Sequence, residues 1–266
     1  MKRIYKSIFF IGISVFGICL IAYGGTSLIK GFTQHNDWPT TAIVQKETDI
    51  DPKLVEKFTK ISVMVNPSGV KFKVTGKINI TNPVDSTQNL HNLGYIYQKQ
   101  GDQYYYQSGQ TETINADGLL VYVDHAQKKI MLGKNKGEMA PLVFPDLSNL
   151  IKQFKEEKYQ LWDRRTDKQY WTISLINPTH ITCKLYELTY DSLTLKPNKI
   201  VMRLSNFDDP LNNKKDKKVS FEIMTDTQVN ASLFHVGRFV EKKQPQSYVP
   251  AEKYKDYELI VLPELR

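Results

Sequence analysis

The sequence predicts a mainly β (α+β) domain built on one large, curved antiparallel sheet, with helices packed on its concave, apolar side. Three observations predict it. Apolar and polar residues alternate in about ten short runs separated by Gly, Asn, Asp and Pro, as in strands that bury one face only. Tyr (15) and Phe (12) are abundant and favour strands. Only two runs have helical spacing, and no strand–helix–strand alternation of the kind that builds a parallel sheet is present.

The chain opens with Lys2, Arg3 and Lys6, followed by an uncharged run over residues 7–29, rich in Ile, Phe and Gly. A bilayer-spanning helix needs about 20 such residues. The preceding bases favour a cytoplasmic N-terminus with the remainder across the inner membrane. A cleaved signal peptide is the alternative, with Ala22-Tyr23-Gly24 as the small-x-small site. Lipidation at Cys19 is a third, disfavoured by Phe16-Gly17-Ile18, where a small residue is wanted before the Cys. Each places the main domain in the periplasm or otherwise outside the cytoplasm. Residues 31–48 form a polar linker containing Trp38-Pro39.

The first helix is predicted to start at Asp51 as N-cap with Pro52 in the first position, and Leu54, Val55, Phe58 and Ile61 share its apolar side. The clearest alternation follows. Val70, Phe72, Val74, Ile78 and Ile80 interleave with Lys71, Lys73, Thr75, Lys77 and Asn79, and Gly76 marks a bulge or strong bend. Asn82-Pro83 ends this strand. Residues 93–98 form another, closed by a turn at Gly101-Asp102. Next, one strand is expected to begin at Tyr104–Tyr106 and run on towards Thr113. Asp117-Gly118 then supplies a tight turn into residues 119–123, where Leu119, Val121 and Val123 share a face, and residues 129–132 follow. Residues 144–157 read as the second helix, with Asp146 as N-cap and Leu147, Leu150, Ile151 and Phe154 as its stripe. Strands resume with Trp171, Ile173 and Leu175, with residues 180–190, and with Ile200, Met202 and Leu204. A polar hairpin loop over 207–218 precedes Val219, Phe221 and Ile223. The chain turns at 229–234 and ends on an apolar strand at 257–262.

Charge and motifs exclude several functions. The net charge is +8, but Lys2, Arg3, Lys6 and Lys30 contribute four positives before any acid appears. The remainder is nearly balanced, and Lys214-Lys215-Asp216-Lys217-Lys218 reads as a solvated loop, so no nucleic-acid partner is expected. The five histidines have no metal-ligand spacing, and HExxH, CxxC, GxSxG, Walker and GxGxxG patterns are absent. No catalytic residue, metal or cofactor is therefore predicted, and the domain is read as not an enzyme. With Cys19 and Cys183 alone, no disulfide can form within the exported part, and Cys183 reads as a small buried apolar residue.

Two stretches resemble a family. Asp117-Gly118-Leu119-Leu120-Val121-Tyr122-Val123-Asp124 followed by Lys129-Ile130, and later Val219 to Val236 with Asn230, Leu233 and Phe234 in place, resemble the LolA-like superfamily of periplasmic outer-membrane lipoprotein carriers, as a divergent member. The resemblance covers about residues 50–237. It implies a domain over 49–237 shaped as a half-open β-barrel, capped by two or three helices and enclosing an apolar cavity for the acyl chains of lipoproteins. Residues 238–266 extend beyond it, with a final strand. The groove is then expected to be lined by Val70, Phe72, Val74, Ile78, Ile80, Leu119, Val121, Val123, Val219, Phe221 and Ile223, with Phe58, Leu150 and Phe154 as the helix lid. The expected partner is a lipid or an acylated lipoprotein. The alternative is an envelope-complex subunit that binds another protein through the sheet without lipid. Two features depart from the family. The Arg usual before its Asp-Gly turn is missing from Gln103-Tyr104-Tyr105-Tyr106, and an uncleaved anchor over 7–29 would forbid free shuttling between membranes.

Overall fold

Why the chain folds into one twisted sheet follows from its alternation, and the computed structural model shows that sheet over residues 51–65, 71–135, 156–244 and 247–265. The N-terminal run 7–29 and residues 144–155 of the second predicted helix, with Leu150 and Phe154, lie outside these residues, as does Val70. Among the described residues no helix is long and apolar enough to cross a membrane.

Helix α1 spans Pro52–Val65. Asp51 starts it as expected: its Oδ1 accepts the Lys53 N–H at 2.9 Å, and its carbonyl accepts from Leu54 and Val55. The strands are β1 (Phe72–Thr81), β2 (Leu90–Gln100), β3 (Gln103–Ser108), β4 (Thr111–Ala116), β5 (Leu119–Asp124), β6 (Lys129–Lys134), β7 (Gln160–Arg165), β8 (Tyr170–Ile176), β9 (Cys183–Asp191), β10 (Pro197–Leu204), β11 (Lys217–Asp226), β12 (Val240–Gln244), β13 (Ser247–Pro250) and β14 (Glu258–Val261). Twelve strands form one sheet in the order β14-β6-β5-β4-β3-β2-β1-β11-β10-β9-β8-β7, and β12 and β13 pair as a separate hairpin. The large sheet is curved and does not close, and all its pairs are antiparallel except β14, which runs parallel to β6.

Three local expectations change. The strand expected from Tyr104 towards Thr113 is a hairpin of β3 and β4, turned at Gly109, whose φ of +55° a side chain rarely adopts. Gly76 is not the bulge. Pairing runs regularly through it, and the register shifts between Ile78 and Ile80 instead. Gly76 is required for another reason: a Cβ there would stand 1.8 Å from the Glu222 carbonyl oxygen. The hairpin of β12 and β13 was not expected, because Val240–Gln244 is nearly all polar. The turn at Asp117 and Gly118 is as expected. Both have positive φ (54° and 74°), which a two-residue hairpin turn demands.

The sheet buries both faces, and cross-strand rows assign them. Ile78, Phe221, Ile200, Leu188 and Ile173 stand opposite one another across five strands. They share the face that carries α1, where Phe58 meets Tyr186 edge-on at 6.1 Å and Lys57 reaches Asp163 of β7 at 2.7 Å. Tyr105, Ile114, Val121 and Leu132 form a second row on the outer face. There Phe234, Val236, Phe239, Val240, Ala251 and Tyr254 of the C-terminal segment cover them.

Candidate functional site

The α1 face was the predicted groove. Of its expected lining, Phe72, Val74, Ile78, Ile80, Val219, Phe221 and Ile223 do share this face, and all are buried. Phe58 lies over them with Ile61, both almost fully buried. What fills the space between them is a set of tyrosines that the alternation placed but the sequence reading did not credit: Tyr95, Tyr97, Tyr104, Tyr106, Tyr186 and Tyr190. Phe72 packs on Tyr97 at 5.4 Å and Phe221 on Tyr95 at 6.3 Å, both edge-on. The Tyr95 ring passes over side-chain-less Gly76, and its hydroxyl donates to the Glu222 carbonyl at 2.9 Å. The signal for these residues was present in the sequence as Tyr95/Tyr97 and Tyr104/Tyr106, each pair at period two.

Leu119, Val121 and Val123 do not join that set. The register puts Val121 opposite Ile114 and Leu132 and Val123 opposite Ile130, all on the outer face and fully buried under the C-terminal segment. The ten described residues of the expected lining therefore do not surround one space. Two strands with the same apolar alternation can present it to opposite sides of a sheet, and the fixed register decides which.

The cover over the outer face is held by a polar knot. Glu112, buried, accepts from the Tyr105 hydroxyl at 2.7 Å through Oε2 and lies 2.7 Å from His125 Nε2 through Oε1. Arg238 donates to the same Oε2 at 3.4 Å and to the Leu233 carbonyl at 3.2 Å. The other ring nitrogen of His125 is 3.0 Å from the Tyr257 hydroxyl. Residues of the extension beyond 237 thus pack on the same sheet, and β14 adds to its edge.

The cover stops short of β1, β11 and β10. There an open groove of about 820 Å³ crosses the outer face. Thr75, Lys77, Ile96, Lys199, Glu222 and Met224 line it, each alternating with a residue of the α1 face. Lys77, Glu222 and Lys199 stand in one cross-strand row, and Met224 is 66 % exposed. Its floor is bare at Gly94, where a Cβ would meet nothing within 4 Å. In the sequence Thr75, Lys77 and Glu222 are the polar residues that alternate with the apolar side of their strands.

The described residues hold no group of three or more His, Cys, Asp or Glu side chains placed to bind a metal. Burial pushes the Cys183 thiol up to about 12 and the Tyr104 hydroxyl likewise to about 12, and raises Tyr95, Tyr97 and Tyr186 further. These groups stay protonated at neutral pH.

No protein-family model matches the chain, and no curated protein does. Among solved structures it is similar to the MucA/MucB complex of Pseudomonas aeruginosa, with a TM-score of 0.38 and 12 % identity over 69 % of this chain and 61 % of that one. The chain thus spans less than two thirds of that neighbour's length. It is similar to a DUF1329 family protein from Desulfovibrio piger, with a TM-score of 0.32 and 9 % identity over 71 % and 98 %. It is also similar to a LolA superfamily protein from Nitrosomonas europaea, with a TM-score of 0.21 and 14 % identity over 69 % and 96 %. Likenesses this distant carry no argument about activity or partner. The superfamily that the Asp117-Gly118 and Asn230–Phe234 motifs resemble is nonetheless among them.

Proposed function

We propose that this chain is a non-catalytic extracytoplasmic domain that binds another protein on the outer face of its sheet, in the groove between the C-terminal cover and β10. The observation that carries the reading is a contrast between faces. Among the described residues the apolar face expected to hold a ligand is packed with the protein's own aromatic side chains, whereas the outer face leaves about 820 Å³ open over Gly94. The groove offers the chemistry a polypeptide needs: two lysines, a glutamate, the Thr75 hydroxyl, and the apolar Ile96 and Met224. Export is supported by Lys2, Arg3 and Lys6 ahead of the uncharged run 7–29, which tethers the domain if it is not removed. The non-catalytic part rests on the missing motifs and the deeply protonated Tyr and Cys groups.

A second reading, the lipid carrier, is favoured by one observation. Among the described residues the Tyr186 hydroxyl ends inside the α1-face core with no hydrogen-bond partner, which leaves a polar atom where a headgroup or ester could sit.

Native mass spectrometry of the full chain and a groove-filling variant, Gly94→Trp, separate the two. On the protein reading the wild type carries no acyl lipid, and Gly94→Trp keeps its melting temperature but loses the protein that co-purifies with the wild type. Stoichiometric lipid, retained in Gly94→Trp, would replace this reading with the carrier.

A further inference from the structure

One end of the sheet, where β1 and β10 finish and β9 and β11 begin, carries a separate apolar surface. Val84, Ile181, Phe207 and Leu211 are 56 %, 50 %, 87 % and 41 % exposed there. They project from three loops, 82–89, 177–182 and 205–216. The pairing sets these loops side by side, with Thr81 opposite Lys218 and Leu204 opposite both Lys217 and Cys183. Ser205 joins two of them: its N–H donates to the Thr182 carbonyl at 2.8 Å and its hydroxyl to the His180 carbonyl at 2.6 Å. Lys217 joins the third by donating to Gln88 Oε1 at 2.9 Å.

The loop that bears Phe207 is fixed from beneath. Lys184 is fully buried, and its Nζ lies 2.8 Å from Asp216 Oδ1 and 2.8 Å from Asn213 Oδ1. Arg203 Nε is 3.1 Å from the other Asp216 oxygen. A buried ammonium persists only when partnered in this way, so the base of the loop is anchored. Towards the tip, Asn206 Oδ1 accepts the N–H groups of Asp208 and Asp209, which turns the chain beside Phe207. The outward position of Phe207 is therefore set by the loop's own bonds.

We propose that this end of the sheet docks on a lipid bilayer surface, with Phe207, Leu211, Ile181 and Val84 entering the boundary between headgroups and acyl chains. Shape argues for it. A protein partner needs a surface cut to match, whereas a fluid interface moulds around side chains that project singly from separate loops. Charge sets the kind of lipid. Within the three loops Lys214 and Lys215 meet Asp85, Asp208, Asp209 and Asp216, and Lys217 and Lys218 at the start of β11 even the count, so no basic excess draws anionic lipid and attraction is apolar. The chain supplies proximity: residues 30–50 join the uncharged run 7–29 to α1 and reach at most about 70 Å when extended. The groove lies on the sheet's face and this patch at its end, so the two can be occupied together.

The test uses the full chain reconstituted in phosphatidylcholine vesicles, with acyl-chain-brominated phosphatidylcholine as quencher. The tryptophan emission of the wild type is compared with that of Phe207→Trp and of Leu193→Trp. Leu193, 90 % exposed in the turn between β9 and β10, marks the opposite end of the same strands. The emission added by Phe207→Trp is expected to be quenched about twofold more than that added by Leu193→Trp. The same difference is expected with phosphatidylglycerol present, and it should vanish when Ile181→Asp and Leu211→Asp are added. Equal quenching at the two ends overturns the proposal. So does quenching that needs the anionic lipid, or a dimer in solution that Phe207→Asp dissolves.

Discussion

The two faces of the sheet are built from the same strands yet are closed by different means. In β3, Tyr104 and Tyr106 enter the α1-face core while Tyr105, between them, enters the outer core. The α1 face is closed by large aromatic side chains that the strands themselves supply, with Phe58 and Ile61 of a single described helix laid over them. Among the described residues the outer face is closed over β3 to β6, by a distant stretch of chain clamped through Glu112. The lesson is that apolar alternation does not identify a ligand groove. What matters is which residues remain to cover each side, and among the described residues an open groove lies on the wetter face, beyond the reach of the C-terminal cover.

The comparison breaks most sharply at Phe58 and Phe239, which are equally buried on opposite faces. If both faces are packed cores, Phe58→Ala and Phe239→Ala should each cost about 3–5 kcal/mol in urea unfolding. A Phe58→Ala loss well below the Phe239→Ala loss would show that the α1 face tolerates a void and revive the carrier reading. Glu112→Gln weakens charge-assisted bonds to Tyr105, His125 and Arg238 and should cost about 1.5–3 kcal/mol. Hydrogen exchange should rise in residues 229–265 and not in α1. Gly76→Ala forces the β11 backbone away from β1 and should cost about 1–3 kcal/mol, read as a lowered melting temperature.

The smallest effect is on pH dependence. His180 Nδ1 accepts the N–H groups of Thr182 and Cys183 at 3.2 and 3.1 Å, so the ring proton sits on Nε2, facing Glu157 at 3.1 Å. Burial lowers the His180 pKa from its ordinary 6.5, with Glu157 opposing that shift. The folded state thus favours the neutral ring. This contribution is complete above 6.5 and is lost as pH falls through the lowered value. Between neutral pH and about pH 5 the urea midpoint of the wild type should fall further than that of His180→Phe.

Much of the architecture was legible locally. Asp51-Pro52, the alternation from Phe72 to Ile80 and the Asp117-Gly118 turn are encoded by neighbours in sequence, because capping, pleating and positive φ are properties of a few adjacent residues. The β3–β4 hairpin was missed at Gly109, a single glycine between polar residues, and β12–β13 was missed because β12 is polar beyond Val240 and shows no alternation.

By itself the sequence determined that strands dominate and that most have an apolar side. Period two guarantees as much, whatever the neighbours. The tertiary structure alone decided to which side of the sheet Val121 and Val123 turn, that tyrosines fill the expected groove, and where the surface stays open. Those outcomes depend on register between strands and on a cover that arrives from more than a hundred residues away, as in the contact of Arg238 with Glu112. No local pattern carries that information, because pairing partners far apart in the chain meet only once the sheet has formed.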